Sequence, residues 1–479
     1  MKPLTKLAII ASVLTAMLTI TGCNTINPRA LSEKTVASPA AWQARIPAAN
    51  ELGAALSARE WWSGWSDPTL ERMHAAARAH NPDLEQSLAR IDQARAATAL
   101  AQAQRWPNLN LSARFSRGRN LLLPPGLILD TAQVLVDALW EIDLWGTQRA
   151  AVTKADSRVR AREADWHQGS VSLNAEVAST HVSLVACQLA VALALEDARL
   201  IGANQTLAAD RVRTGFAATD VLASAAAGTR DAERRVTAQR EQCDLAFKAQ
   251  TMLTGLNELD VRAAYGERGN AMPMPRRLAI ASVPASALTQ RADLAAIERE
   301  LAAVSIEIEV IELGRLPKPS LVGQVGRLRA EGQGFSAQGT NWSFGPQLSM
   351  PIFDFGRRRA NLEQSQGRYR ELEASYRQRA QLAVREVEES LVRLESARVR
   401  ALQAEASVAE QQRVLSATEE RLRTGFGNGS DRNDAARLVL NARSVVVDAT
   451  RDELTAWISL YKAVGGGWAE TDTVTRSER

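Results

Sequence analysis

The chain has 479 residues, and its 58 lysine and arginine residues nearly balance 54 aspartate and glutamate residues, for a formal net charge of +4. Because both signs are interspersed, the sequence lacks the basic footprint that nucleic acid requires, and no nucleic-acid partner is predicted. The four histidines show no metal-ligand spacing, and neither a phosphate loop nor a serine, histidine and acid constellation stands out. We therefore expect neither an enzyme nor a cofactor.

The amino terminus has the layout of a secretory signal. Residues 1–22 begin with basic residues, continue as a short apolar run and end in small residues directly before Cys23. This layout resembles the lipobox of bacterial lipoproteins, which implies that Cys23 is acylated, carries palmitate and becomes the first mature residue. The alternative is a buried cysteine in an anchor helix, although the apolar run is short for a membrane span. The residue after Cys23 is Asn24 and not an aspartate, which by the same resemblance implies sorting to the outer membrane. Residues 23–66 are predicted to form a lipidated tether before a helix capped by Asp67.

No segment of the mature chain is predicted as a transmembrane helix. The best candidate, Val182–Leu195, is shorter than the roughly 20 residues that a bilayer requires, and its expected role is burial between helices. The tryptophans in Trp61–Trp65 are likewise expected to be packing anchors. If the chain crosses a membrane, it must do so with β-strands.

A hexapeptide occurs twice, as Arg211–Phe216 and as Arg421–Phe426, with an offset of 210 positions. The same offset relates four further pairs of landmarks: Asp83–Leu84 and Asp293–Leu294, Pro107 and Pro317, Gly146 and Gly356, and Arg149–Ala150 and Arg359–Ala360. A repeat of this length predicts a duplicated module. Each half then contains a helix, two strands, a very long helix, a turn and a returning helix.

The offset sets the predicted boundaries. The first repeat spans residues 67–280 and the second residues 281–465, and a disordered tail follows at 466–479. The strand pairs are predicted at 108–118 with 133–145 and at 319–328 with 341–353, and the hairpin tips at 214–220 and 424–434. The long helices are predicted from Thr147 to Arg213 and from Arg357 to Arg423, each about 67 residues and about 100 Å long.

The predicted strands alternate between apolar and polar residues. In 134–144 apolar side chains alternate with Asp137, Glu141 and Asp143, and in 342–352 they alternate with small or polar residues. This pattern fits a transmembrane barrel with a wet lumen, although an amphipathic sheet on a soluble core gives the same alternation. Four strands cannot close a barrel, and open edges do not occur in lipid. Spanning therefore requires an oligomer, and three chains would supply twelve strands.

Two cysteines, Cys187 and Cys243, are predicted on opposite arms of the first hairpin with an axial offset of about 6 Å. A disulfide can form if both face inward. Two buried free cysteines are the expected state.

Together these motifs resemble the TolC-like outer membrane factors, specifically the NodT-type lipoprotein branch. The resemblance covers essentially the whole mature chain, and the matching segments are the lipobox and residues 62–70, 81–84, 140–146, 214–222, 351–356 and 421–434. It implies a mainly α-helical chain with a transmembrane β-barrel: a trimeric 12-stranded barrel, four strands per chain, continued by a long periplasmic helical tunnel.

The resemblance also implies a function and partners. The function is the passive exit duct of a tripartite efflux system for small toxic compounds, and the partners are two further copies in a homotrimer, a periplasmic adaptor (membrane fusion) protein, an inner-membrane pump and outer membrane lipid. The same architecture serving a type I protein-secretion system is an open alternative. A periplasmic adaptor-type lipoprotein is a weaker one, because adaptors have one hairpin and lack paired strands.

By position, the resemblance places Asp220, Asp431 and Asp434 at the periplasmic aperture. The implied adaptor-contacting residues are Arg213, Thr214, Gly215, Phe216, Arg423, Thr424, Gly425 and Phe426. Two interpretations of the aspartates are open: N-capping of the returning helices by Thr219–Asp220 and Ser430–Asp431, or a gating ring of carboxylates. We further expect ion pairs between these acids and four tip arginines, Arg211, Arg213, Arg421 and Arg423, and expect the glycine-rich second tip to be the mobile part.

Overall fold

The computed structural model describes residues 41–45, 57–58, 60–119, 128–266, 271–273, 290–332 and 334–469. The predicted signal peptide, Cys23, most of the tether and the tail beyond residue 469 lie outside the described residues. The described residues divide into two units, one within residues 93–159 and 299–373, the other within residues 34–92, 160–298 and 374–479.

The described residues form eight α-helices and four β-strands. The helices are α1 (Pro68–His80), α2 (Pro82–Ala103), α3 (Thr147–Arg213), α4 (Thr219–Thr254), α5 (Glu258–Gly266), α6 (Ala292–Leu313), α7 (Arg357–Arg423) and α8 (Gly429–Ala463), and the strands are β1 (Asn108–Arg119), β2 (Ile128–Glu141), β3 (Lys318–Gly332) and β4 (Phe335–Ser349). A 3-10 helix, Trp61–Trp65, precedes α1. The two predicted long helices are confirmed, because α3 and α7 each contain 67 residues.

Local signals in the sequence account for several helix ends. The Asp67 carboxylate accepts hydrogen bonds from the N–H groups of Thr69 (3.0 Å) and Leu70 (3.1 Å), and Pro68 occupies the first helical position. The predicted N-cap at Asp67 is thus confirmed. Helix α2 ends shortly before Pro107, whose ring and missing N–H prevent its continuation.

In the first unit the four strands form one antiparallel sheet in the order β1-β2-β3-β4, so β1 and β4 are its edges. Two strands end earlier than predicted. Strand β2 stops at Glu141 because Asp143 turns to cap α3, accepting from the N–H groups of Gln148 (3.1 Å) and Arg149 (3.0 Å). Strand β4 stops at Ser349, close to Pro351, which has no N–H to continue a ladder. Strand β3 instead runs four residues beyond its predicted end, to Gly332.

The strand register aligns the alternating side chains in rows across the sheet. Two neighbouring rows on one face are Leu111, Val136, Val325 and Trp342, and Leu109, Ala138, Gly323 and Phe344. A row on the opposite face is Asn110, Asp137, Gln324 and Ser343. The predicted alternation is therefore confirmed. The apolar face is uncovered in the single chain, where Leu111 is 73% and Trp342 72% exposed.

In the second unit the core contains residues of the 3-10 helix, α1, α3 and α8. Trp61 is fully buried and stacks on Tyr461 with ring centroids 5.4 Å apart. Trp62 meets the rings of His74 and Tyr461 edge-on, each at 4.7 Å. The tryptophans are thus packing anchors, as the sequence predicts.

One contact recurs at positions 210 residues apart. The Asn81 Nδ2 donates to the carbonyl oxygen of Leu253 at 3.1 Å, and the Arg291 Nη1 donates to that of Ala463 at 2.7 Å. The Asn81 amide and the Arg291 guanidinium differ in charge and length, but each donates to the carbonyl oxygen at the equivalent position of its own repeat. Both contacts tie the beginning of one helix to the end of another.

Among the described helices, α3 contains a stretch that could cross a membrane by length and composition alone, and 44% of that stretch is buried inside the protein. Val182, Leu184 and Val185 belong to this helix and are almost completely buried in the core of the second unit. Their burial agrees with the predicted packing role.

Candidate functional site

The two hexapeptides end the long helices in the same backbone motif. Gly215 has a φ of 82° and Gly425 a φ of 81°, in the left-handed region. The N–H of Phe216 donates to the carbonyl oxygen of Arg211 at 2.7 Å, and Phe426 makes the same bond to the carbonyl five residues before it at 2.9 Å. This pattern is a Schellman C-cap, which reverses the chain and satisfies helix-end carbonyls. Glycine suits both positions because it lacks the Cβ that disfavours this conformation.

Each tip also presents an uncovered aromatic ring. Phe216 is 86% exposed and Phe426 is 87% exposed. The hydroxyls of the exposed threonines that precede the glycines bond back to their own helices: Thr214 donates to the Asp210 carbonyl at 2.8 Å and Thr424 to the Glu420 carbonyl at 2.9 Å. The tips therefore combine a fixed backbone with an apolar side chain free to contact another protein.

Within this chain the tip arginines pair differently from the prediction. Arg213 pairs with Asp210 at 3.1 Å and Arg423 with Glu420 at 2.6 Å, in each case one turn earlier on the same helix. The hydrogen bond from Arg423 holds the pKa of the Glu420 carboxyl below its ordinary value. Each arginine pairs with the nearest acid on its own helix face, because this ion pair forms without ordering a loop. These two ion pairs lie within one chain, so the hypothesis that the tip arginines pair with the aperture acids in a closed trimer stays a prediction.

The predicted capping residues need a partial correction. Helix α4 begins after Ala218, which makes no side-chain cap, although the Asp220 carboxylate does accept from the N–H of Val221 at 2.9 Å. Helix α8 is capped by Asn428, whose Oδ1 accepts from the N–H of Asp431 at 3.0 Å, so the capping prediction for Ser430–Asp431 is wrong. Asp220 and Asp431 are exposed in the first turns, where the helix dipole favours a carboxylate.

Asp434, the third predicted aperture residue, lies one turn further along α8 and contacts α3. The Asn204 Nδ2 donates to its Oδ1 at 3.0 Å, and the Asn433 Nδ2 donates to the Asn204 Oδ1 at 2.8 Å. Asp434 thus ties the second hairpin to the first. Each of the three still stands as a candidate aperture residue.

A charged network that the sequence did not reveal links the same hairpins. Asp197 on α3 accepts from Arg235 on α4 at 3.1 Å and from Arg437 on α8 at 2.8 Å, and Arg437 also reaches Asp434 at 3.6 Å. The Asp197 side chain is only 13% exposed. The carboxylate, shared by two guanidinium groups, holds three helices together. Residue spacing along a single helix could not have predicted this network.

The two cysteines of the first hairpin form a disulfide. Cys187 on α3 and Cys243 on α4 have Cα atoms 5.6 Å apart, inside the range that a disulfide spans. The expectation of two free cysteines is wrong, because both side chains face the contact between the two helices. At the corresponding positions of the second hairpin stand Ala397 and Glu453. Only the first hairpin is therefore covalently closed at this level.

Buried histidines form a second feature that spacing did not predict. The His181 ring is fully buried, with Nδ1 2.9 Å from the Tyr265 hydroxyl and Nε2 3.1 Å from Asp67 Oδ2. The His74 Nε2 donates to the Asn174 carbonyl at 3.0 Å, and burial lowers the pKa of this imidazole to about 4. These groups tie α1 and α5 to α3, so their role is in packing. In the part of the chain that the structure describes, no cluster of three or more His, Cys, Asp or Glu could hold a metal ion.

Comparison with known proteins assigns this architecture to one family. The family described as Outer membrane efflux protein matches the chain twice, at residues 74–255 and at residues 283–466. The chain therefore belongs to the outer membrane efflux proteins, and its recognition as a TolC-like factor of the NodT-type branch is confirmed.

Individual relatives cover most of the chain. Outer membrane protein OprJ of Pseudomonas aeruginosa is 29% identical over 436 residues, which are 88% of this chain and 89% of OprJ. The solvent efflux pump outer membrane protein SrpC of Pseudomonas putida is 28% identical over 427 residues, 85% of this chain and 87% of SrpC. The solved outer-membrane channel OprN superposes with a TM-score of 0.73 at 25% identity, covering 90% of this chain and 98% of OprN.

The protein is thus an exit duct for efflux, located in the outer membrane and extending into the periplasm. The family and these relatives are channel proteins.

Proposed function

We propose that three copies of this chain form the outer membrane duct of a tripartite efflux system that expels small toxic compounds. The registered sheet carries this proposal most directly: one face is apolar and uncovered, and both edge strands, β1 and β4, lack a further partner strand within the described residues. In lipid, open edges must be paired, and three such sheets would close a twelve-stranded barrel with its apolar face outward and its polar face toward a wet lumen.

The helical hairpins supply the remaining parts of the duct. The long helices would form a periplasmic tunnel, and the twofold family match supports an origin by duplication of one strand-pair and hairpin module. At the tips, exposed Phe216 and Phe426 offer apolar contacts to a periplasmic adaptor, which couples the duct to an inner-membrane pump. Acylated Cys23 would anchor the chain in lipid. Such a duct performs no catalysis and needs no cofactor.

The substrate class follows from the relatives and from the lining. SrpC is described as part of a solvent efflux pump, which makes small apolar compounds the first class to test. A wide duct contacts its cargo weakly, so selection belongs to the pump. Asp220, Asp431 and Asp434 would set cation preference where the tips of three chains converge.

Three measurements test the proposal. Native mass spectrometry of the detergent-solubilised protein should give a trimer, and a stable monomer would overturn the barrel. In a planar bilayer, D431N/D434N should lower cation selectivity relative to the parent, and an unchanged conductance and selectivity would remove these residues from the aperture.

In cells, deletion of the gene should raise solvent and drug accumulation. Loss of protein secretion with unchanged accumulation would favour a secretion duct.

A further inference from the structure

At one end of the sheet β1 is followed by β2 and β3 by β4, and we call this end the loop end. Its side chains differ from those on the rest of the apolar face. Four arginines occupy this end on the same face as the apolar rows: Arg117, Arg119, Arg327 and Arg329. We call these four residues the arginine rim. The register places Arg327 in a row with Ala113, Val134 and Thr340, and Arg329 in the next row with Phe115, Ala132 and Gln338. The rim therefore directly adjoins the apolar band.

Only part of the charge of the rim is balanced within the chain. Arg117 pairs with Asp130 at 3.7 Å, and the Arg329 Nε donates to Glu331 at 2.8 Å. Arg119 and Arg327 have no ion pair or hydrogen bond with another described side chain. Four guanidinium groups against two carboxylates leave this end of the face positively charged.

A cavity of about 740 Å³ lies at the rim. Its lining includes small and apolar side chains, Ala113, Phe115, Ala132 and Val134, together with Arg327 and Arg329. The two arginines are two residues apart on one strand face, a separation of about 7 Å. Strand β3 lies between β2 and β4, so further pairing at the sheet edges would leave both side chains on the face.

We propose that this cavity binds the phosphorylated head group of a glycolipid in the outer leaflet of the outer membrane. The inference rests on the proposed barrel, in which the apolar face meets lipid and the loop end points outward. An arginine without a partner is unfavourable beside hydrocarbon, and a phosphate accepts two parallel hydrogen bonds from one guanidinium. The apolar lining suits acyl chains of the same molecule, which a free phosphate or a soluble anion lacks.

The test uses the full-length trimer in detergent and native mass spectrometry with three probes: bisphosphorylated lipid A, dephosphorylated lipid A and inorganic phosphate. The parent should bind bisphosphorylated lipid A about tenfold more tightly than the dephosphorylated form. R327A/R329A should bring this ratio to about one, whereas R327K/R329K should keep part of it. The matched control is K318A, a basic residue on the opposite face of β3 and outside the cavity lining, which should leave the ratio unchanged.

The outcomes separate this inference from the proposed function. A double variant that keeps the parental preference, or a preference lost equally in K318A, would overturn the lipid site. Displacement of lipid A by millimolar inorganic phosphate would show a simple anion site and also overturn it. Trimers that conduct but show no phosphate preference would refute the inference alone, whereas a parent that forms no trimer would refute the proposed function and the inference with it.

Discussion

Gly215 and Gly425 show how a single backbone angle fixes a candidate functional surface. Both residues adopt positive φ, and in both tips the next residue is a phenylalanine turned into solvent. A Cβ added at Gly425 would have open space around it, so only the backbone conformation opposes a larger residue. The glycines are therefore required by the turn and not by packing.

Gly425→Ala should lower the free energy of unfolding by about 1 kcal/mol, because an L-residue in the left-handed region is disfavoured. The matched control is Gly367→Ala, inside α7 in equally open space without a positive φ, which should be neutral or stabilising by about 0.5 kcal/mol. Urea unfolding in detergent measures both. Equal losses in the two variants would contradict the C-cap argument.

A buried ion pair at the start of α6 is a second feature at this scale. Arg291 is 3% exposed and binds Asp293 through two hydrogen bonds, at 2.7 and 3.0 Å. Burial by itself would raise the pKa of the Asp293 carboxyl, but the bonds and charges of Arg291 and Arg379 together outweigh it and hold the pKa below its ordinary value. Asp293→Ala should cost about 3 kcal/mol, because the buried guanidinium loses the carboxylate that binds it twice, although Glu386 at 2.8 Å remains as a partner. Asp83→Ala, at the corresponding exposed position, should cost less than about 0.5 kcal/mol in the same thermal melts.

His74 predicts a pH dependence. Burial lowers its pKa to about 4 from an ordinary value of 6.5, so between these values the unfolded chain binds more protons than the folded one. The neutral His74 ring contributes fully to the free energy of unfolding above pH 6.5. This contribution, about 3 kcal/mol in total, is lost as the pH falls to 4. His74→Gln keeps a donor for the Asn174 carbonyl and should flatten this part of the stability profile relative to the parent. Parallel profiles for the two proteins would show that His74 does not titrate in this way.

At the scale of elements, the two hairpins share a plan but differ in how they are held. Helices α3 and α4 are joined by the Cys187–Cys243 disulfide, and the positions equivalent to these cysteines in the second hairpin cannot form one. The second hairpin instead reaches the first through polar contacts such as that of Asp434 with Asn204. That the second tip is the more mobile of the two stays a prediction.

Removing the disulfide should destabilise the protein by about 4 kcal/mol, since the bond closes a loop with a sequence separation of 56 residues. The variant is C187S/C243S, compared with the parent in the presence and absence of a reducing agent. Reduction should lower the parent to the level of the variant and leave the variant unchanged. Thiol titration of the unfolded, unreduced parent should detect neither cysteine, and two titratable thiols would refute the bond.

At the scale of the whole molecule, the two sheet faces must meet different environments if the chain forms a membrane duct. Val325 and Gln324 are neighbours on β3 and lie on opposite faces. Val325→Lys should cost about 2 to 4 kcal/mol per chain if its face meets the middle of the bilayer, whereas Gln324→Lys on the lumen side should leave assembly intact. Semi-native gels of outer membrane fractions measure how much trimer each variant forms. If both variants assemble equally well, the apolar face does not meet lipid.

The sequence by itself determined the periodic parts of this protein and its family. Alternation with a period of two predicted the faces of β2 and β4, and the 210-residue offset predicted two equal long helices, because these signals are local or repeated along the chain. The sequence specifies strand ends less sharply, since Asp143 is equally compatible with a strand face and with a helix cap.

The tertiary structure alone decided which distant side chains meet. His181 joins residues 114 and 84 positions away, and Cys187 finds Cys243 only because particular faces of α3 and α4 are in contact. The network around Asp197 and the cavity at the arginine rim likewise depend on helix contacts and strand register. Helical or strand periodicity specifies which face a residue occupies but not which face of another element it will meet, and that choice is made by packing.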